Sequence, residues 1–99
     1  SGYDVVLASN APEALEALDR ARVDIVLTDY RMPGPNGIDL IRSAKARKPE
    51  TRAILMTAFG DGYIEIEGVR RGAIGYLQKP FEADEVVDLV GRILALKGE

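Results

Sequence analysis

The chain has 99 residues, a net charge of −3, 46% hydrophobic and 29% charged residues, and neither cysteine nor histidine. That length supports one domain with one core, and the missing side chains exclude disulfides, thiol catalysis, thiolate zinc sites and the usual general base. Charges of both signs are dispersed, against a nucleic-acid-binding surface, which needs clustered basic residues. No apolar run approaches the roughly 20 residues of a membrane span, and Ser1-Gly2-Tyr3-Asp4 does not read as a signal peptide, so a cytoplasmic location is expected by elimination.

Tyr3-Asp4-Val5-Val6-Leu7-Ala8 opens the chain as a short β-rich run. Ser9-Asn10-Ala11-Pro12-Glu13 then predicts a helix start, with a capping side chain followed by Pro and Glu in the first turn. Ala14, Leu15 and Leu18 give that helix a narrow apolar stripe. Residues 23–28 predict a second strand, nearly continuous in apolar residues as befits a sheet covered on both faces. A Pro/Gly loop leads to a helix near 37–46, with Ile38 and Ile41 inward, and Pro49 ends it. Residues 53–57 predict the third strand.

Residues 61–71 carry two signals. Ile64 and Ile66 alternate with Glu65 and Glu67 as in a strand, and Gly62 and Gly68 weaken a helix by roughly 1 kcal/mol each relative to Ala. The strand–helix rhythm nevertheless predicts a helix there. Arg70 and Arg71 are expected on its solvated face. Residues 73–78 predict the fourth strand. The last helix begins with Glu82, Asp84 and Glu85, carries Val86, Val87, Leu89, Val90, Ile93 and Leu94, and runs out at Lys97-Gly98. The fold class is therefore α/β: a βαβαβαβα rhythm over a single domain, residues 1–99, with a parallel sheet of about four strands and flanking helices joined by right-handed crossovers.

Three of the strands end in reactive groups. Asp29 closes 23–28 and opens the loop Tyr30-Arg31-Met32-Pro33-Gly34-Pro35-Asn36-Gly37. Ala53-Ile54-Leu55-Met56-Thr57 ends in a hydroxyl, and Ala73-Ile74-Gly75-Tyr76-Leu77-Gln78-Lys79-Pro80 ends in an ammonium. Parallel strands bring such ends to one rim, where open α/β sheets place their chemistry. A carboxylate, a hydroxyl and a cation suit phosphoryl transfer to the carboxylate, which is ionised near neutral pH and needs no base. Lys79 suits a phosphoryl oxygen as a point charge, and Thr57 suits another as a hydrogen-bond donor. A hard-cation site built from oxygen donors remains open.

The three segments, in this order, resemble the receiver domain of two-component response regulators. The loop from Asp29 to Gly37 resembles the family's phosphoacceptor loop, Leu55-Met56-Thr57-Ala58 its hydroxyl strand, and Gly72 to Phe81 its lysine strand. The resemblance implies a flavodoxin-like fold, with Asp29 as acceptor from a histidine kinase and Thr57 and Lys79 as its partners. It implies Tyr76 as the switch aromatic that reorients with Thr57. The Arg31 backbone carbonyl and Asp29 would be ligands for Mg²⁺, and Lys79-Pro80 would be a peptide bond that is usually cis. An output domain or partner protein would read the switch, so the chain is expected to act as a switch and not as an enzyme.

The family opens with one further strand and helix, roughly 20–25 residues by the length of a βα unit, whose strand ends in an acidic pair that holds Mg²⁺. This chain begins at what resembles the family's second strand. The acidic pair is absent, since Asp4 lies at the wrong end of its strand and Ser9 and Asn10 carry no charge, so Mg²⁺ binding is expected to be weakened or lost. The absent strand is central in the family, between 3–8 and 23–28, and its loss is expected to leave Val86, Val90 and Ile93 partly uncovered. The 3–8 strand could occupy the vacant position, two chains could pair as a homodimer, or the sequence could be a fragment. The reading favoured is an N-terminally truncated receiver that dimerises. The alternative function is a receiver scaffold that takes no phosphate and serves as a dimerisation or protein-interaction module. A stand-alone hydrolase lacks both a positioned base and a pocket signal.

Overall fold

Residues 4–58 and 61–97 are described in a computed structural model of the chain. Tyr3 and Gly98, expected at the start of the first strand and the end of the last helix, lie outside them. The elements are β1 (Val5–Ala8), α1 (Ala11–Arg20), β2 (Ile25–Asp29), α2 (Gly37–Arg47), β3 (Arg52–Thr57), α3 (Gly62–Arg70), β4 (Gly75–Gln78) and α4 (Ala83–Lys97). The rhythm is the expected one, with the second and fourth strands starting two residues later than their apolar runs. Local chemistry explains the helix starts. Asn10 Oδ1 accepts the Glu13 N–H at 2.9 Å to cap α1. Asn36 and Asp39 cap α2 reciprocally: Asn36 Oδ1 accepts the Asp39 N–H, and Asp39 Oδ2 accepts the Asn36 N–H. The Glu85 carboxylate accepts the Glu82 N–H before α4.

All four strands are parallel, in the order β1-β2-β3-β4. The vacancy expected between the first two strands is therefore closed. Val5 to Ala8 pair directly with Ile25 to Thr28. Asp24 fixes this register. Its N–H donates to the Asp4 carbonyl at 2.8 Å, its Oδ2 accepts the Asp4 N–H at 2.9 Å, and Arg22 steadies its other oxygen. The first strand thus sits directly beside the second, as expected if it occupied the vacant position.

The faces of the sheet are covered unequally. On one, α1, α2 and α3 bury Val26, Leu40, Ala53, Leu55 and Ile64. On the other, α4 alone covers Ile25, Leu27, Ile54, Met56 and Leu77 with Ile93 and Leu94. Val86 and Val90 are half-buried as expected, but Ile93 is fully buried. The apolar groups left open on this face are Val5 and Leu7 of β1, with Val87 exposed on α4.

Segment 61–71 resolves as helix. Its period-2 pattern misleads, because 3.6-residue periodicity turns Ile64 and Gly68 toward β3 and sends Ile66 out. Glu65 also turns inward. A Cβ on Gly68 would lie 2.7 Å from Leu55 Cδ2, so glycine lets α3 lie close on the sheet.

Candidate functional site

The C-terminal ends of β2, β3 and β4 form one rim because the strands are parallel and nearly in register, Asp29 beside Met56 and Thr57 beside Gln78. A pocket opens there, lined among others by Asp29, Arg31, Thr57, Asp61 and Lys79. The structure thus brings together the carboxylate, the hydroxyl and the ammonium expected from sequence. Lys79 Nζ contacts Asp29 Oδ1 directly, and both side chains are open to solvent. The Lys79-Pro80 peptide bond is cis, and the Lys79 N–H donates to the Thr57 carbonyl at 2.7 Å, extending the ladder past β4.

Asp29 is positioned by its backbone. The Thr28 hydroxyl donates to the Asp29 carbonyl at 2.9 Å, and the Gly37 N–H donates to the Tyr30 carbonyl at 2.7 Å. A Cβ on Gly37 would fall 2.2 Å from the Asp29 carbonyl oxygen. Only glycine lets the N-terminus of α2 approach the end of β2 this closely. The Arg31 guanidinium lies over the Tyr30 ring, 5.5 Å from its centroid.

Thr57 is placed differently. It is 2% exposed, and its hydroxyl donates to Glu65 Oε2 on α3 at 2.6 Å. Tyr76 is half-exposed on the face of the sheet that carries Thr57 and flanks a shallow groove lined by Glu65, Ile66, Val69 and Arg70. Arg70 and Arg71 are solvated, as expected, and pair with Glu67.

Asp61 and Glu65 were not anticipated at the site. Asp61 precedes α3 and lines the pocket, and Glu65 turns inward once the segment is read as a helix with Ile64 and Gly68 facing the sheet; that 3.6-residue period was the available signal.

The profile of the response regulator receiver domain matches residues 1–91. The chain belongs to this family. Over 96 residues this receiver is 36% identical to sporulation initiation phosphotransferase F of Bacillus subtilis (strain 168), covering 97% of this chain and 77% of that protein. Over 95 residues it is 39% identical to the DNA-binding transcriptional regulator NtrC of Escherichia coli (strain K12), covering 96% of this chain and 20% of NtrC. It therefore spans about a fifth of that regulator's length. Its fold matches the crystal structure of the receiver domain of NtrX from Brucella abortus with a TM-score of 0.86 at 27% identity, over 95% of this chain and 80% of that one.

Receiver domains interact with histidine kinases and output domains, and they generally bind Mg²⁺ where they are phosphorylated. Asp29 and Arg31 both line the pocket, and their donors suit Mg²⁺. Asp29 and the Arg31 carbonyl offer hard oxygens, and Mg²⁺ needs only one or two carboxylates when water and phosphate complete its shell. Among the described residues no group of three or more His, Cys, Asp or Glu is placed to hold a metal. Ser9 and Asn10, which follow β1 beside the Asp29 strand, bring no charge, and the Asn10 side chain is engaged in capping α1. Among the described residues no helix is long and apolar enough to cross a membrane.

Proposed function

We propose that Asp29 accepts a phosphoryl group from a phosphohistidine of a kinase, and that the chain works as a switch without turnover of its own. The observation that carries this reading is the convergence of three strand ends, with the Lys79 ammonium already on Asp29 Oδ1. Asp29 Oδ2 attacks phosphorus, forming a P–O bond. The P–N bond breaks, and its electron pair returns to the imidazole, which takes up a proton. Lys79 offsets charge on a phosphoryl oxygen as a point charge. When bound by Asp29 and the Arg31 carbonyl, Mg²⁺ would supply further neutralisation of the phosphoryl oxygens. Uptake should therefore rise with Mg²⁺ concentration. Thr57 then turns its hydroxyl to the phosphoryl group, Tyr76 follows, and an output domain or partner protein reads the change on the α3–β4 side.

The test is intact mass after incubation with acetyl phosphate and Mg²⁺, with Asp29→Ala as control. A gain of one phosphoryl group, absent in the control, is expected. No gain in a folded protein overturns the reading and leaves a scaffold that acts by binding alone. Pairing of two copies belongs to the same proposal, since Val5 and Leu7 leave an apolar strip at the β1 edge. Sedimentation at tens of micromolar decides it, and a monomer would remove it.

A further inference from the structure

A hydroxyl carries one proton and can give it to one acceptor at a time. Thr57 is already committed: it donates to Glu65 Oε2 at 2.6 Å, with only a long second contact to the Leu77 carbonyl at 3.5 Å. Both residues are buried, at 2% and 8% exposure. A buried carboxylate is costly unless it is satisfied. Among the described residues Glu65 enters no ion pair, so the threonine hydroxyl is its recorded side-chain partner. A charged acceptor holds a donor more strongly than a neutral one, and more so away from water.

We infer that Glu65 is a positioning residue: it holds the Thr57 hydroxyl toward α3 and so competes with a phosphoryl group on Asp29 for the same proton. This rests on the phosphoacceptor reading above and adds to it a built-in bias toward the unphosphorylated state. The lever reaches α3 directly, because Glu65 leaves Thr57 when the phosphoryl group takes it. Glu65 also lines the groove beside Tyr76, so release of the carboxylate alters the surface where a partner would read the switch. Apparent affinity for any phosphoryl mimic falls by the fraction of molecules in which Thr57 is free.

The experiment is a titration with beryllofluoride and Mg²⁺, followed through the threonine methyl resonances. The chain has only three threonines, Thr28, Thr51 and Thr57, and Thr57→Val assigns the last. Glu65→Ala should tighten binding by roughly 10-fold or more, the effect of losing one hydrogen bond to a charged group. In the unbound variant the Thr57 methyl should move toward its bound position. Glu65→Gln keeps an acceptor and the volume but not the charge, and should tighten binding by less. Should Glu65→Ala unfold, the Gln variant carries the test alone. The double variant Glu65→Ala/Thr57→Val should bind no tighter than Thr57→Val. Unchanged or weaker binding in both Glu65 variants overturns the inference, and so does a gain that persists without the Thr57 hydroxyl, since Glu65 would then be a packing residue. Binding by Glu65→Ala where wild type binds nothing supports a latch that shuts the site. If neither binds, the phosphoacceptor reading fails and the competition fails with it, an outcome distinct from wild type binding as tightly as the variant.

Discussion

The two faces of the sheet carry different parts of the proposed switch. Strand alternation sets Asp29 and Lys79 in phase with Leu27 and Leu77, on the side that α4 covers alone, and Thr57 and Tyr76 in phase with Leu55, on the side under three helices. The lightly covered side presents the nucleophile to solvent. The closed side buries the Thr57 hydroxyl, which in the proposed switch senses the phosphoryl group. Attack on a phosphoryl donor needs access, whereas sensing needs a group with two defined positions, and close packing supplies discrete positions where solvent would supply many.

The contrast in cover can be measured as stability. Leu40 lies fully buried on α2 against the closed side, while Leu7 is 66% exposed on β1. Leu40→Ala should cost about 3 kcal/mol through lost burial and a cavity. Leu7→Ala should stay within about 0.5 kcal/mol, as exposed sites do. Urea midpoints at pH 7 check both. Equal losses would mean that Leu7 is covered in solution, and therefore that a second copy sits on β1.

Gly37 joins the two sides, because α2 starts there against the Asp29 carbonyl. Gly37→Ala places a Cβ where that oxygen lies 2.2 Å away. The contact is with backbone, so the loop must move, at a cost of about 2 kcal/mol in the range of overpacked sites. The same movement shifts Asp29 relative to Lys79. Phosphoryl uptake should fall by more than the unfolded fraction accounts for, and paired mass and denaturation measurements separate the two.

The strand–helix rhythm, the capping residue of α1, and the rim set of Asp29, Thr57 and Lys79 were legible because each is written locally: apolar runs, Asn before a helix, polar residues closing strands. The neighbours of β1 were not, since strand order depends on pairings between distant residues. The Asp24–Asp4 clasp that fixes them spans twenty positions and leaves no local pattern. Glu65 was hidden for another reason. Polar residues on a helix are read as outward, and alternation with Ile64 and Ile66 suggested a strand, so a carboxylate buried to hold a threonine contradicted both rules. Such contradictions fall at functional positions.

The clasp itself makes a smaller test. Asp24→Ala leaves the Asp4 N–H without its carboxylate partner at the start of β1 and should cost roughly 1.5 kcal/mol. Hydrogen exchange should quicken in β1 while β3 stays protected, because β1 has one strand neighbour and an uncovered face. Uniform loss of protection would mean that β1 is integral to the core and not a lightly held edge.

The smallest effect belongs to Glu67, two residues from Glu65 on the same helix but facing solvent. The hydrogen bond from Arg71, at 2.5 Å, holds its carboxyl below the usual value of 4.5, against slight desolvation and with help from the charges of Arg71, Arg70 and Arg42. A depressed carboxyl contributes stability above its unfolded pKa and loses it as pH falls through the folded one. The gap in urea midpoint between wild type and Glu67→Gln should therefore be small and constant at neutral pH, begin to close below about pH 4.5, and shrink with added salt, as exposed pairs do. Beryllofluoride affinity should not change in Glu67→Gln. That null sharpens the comparison between the faces: neutralising a glutamate on α3 alters the switch only where its side chain reaches Thr57, and a comparable gain from Glu67→Gln would assign the effect to the overall charge of α3.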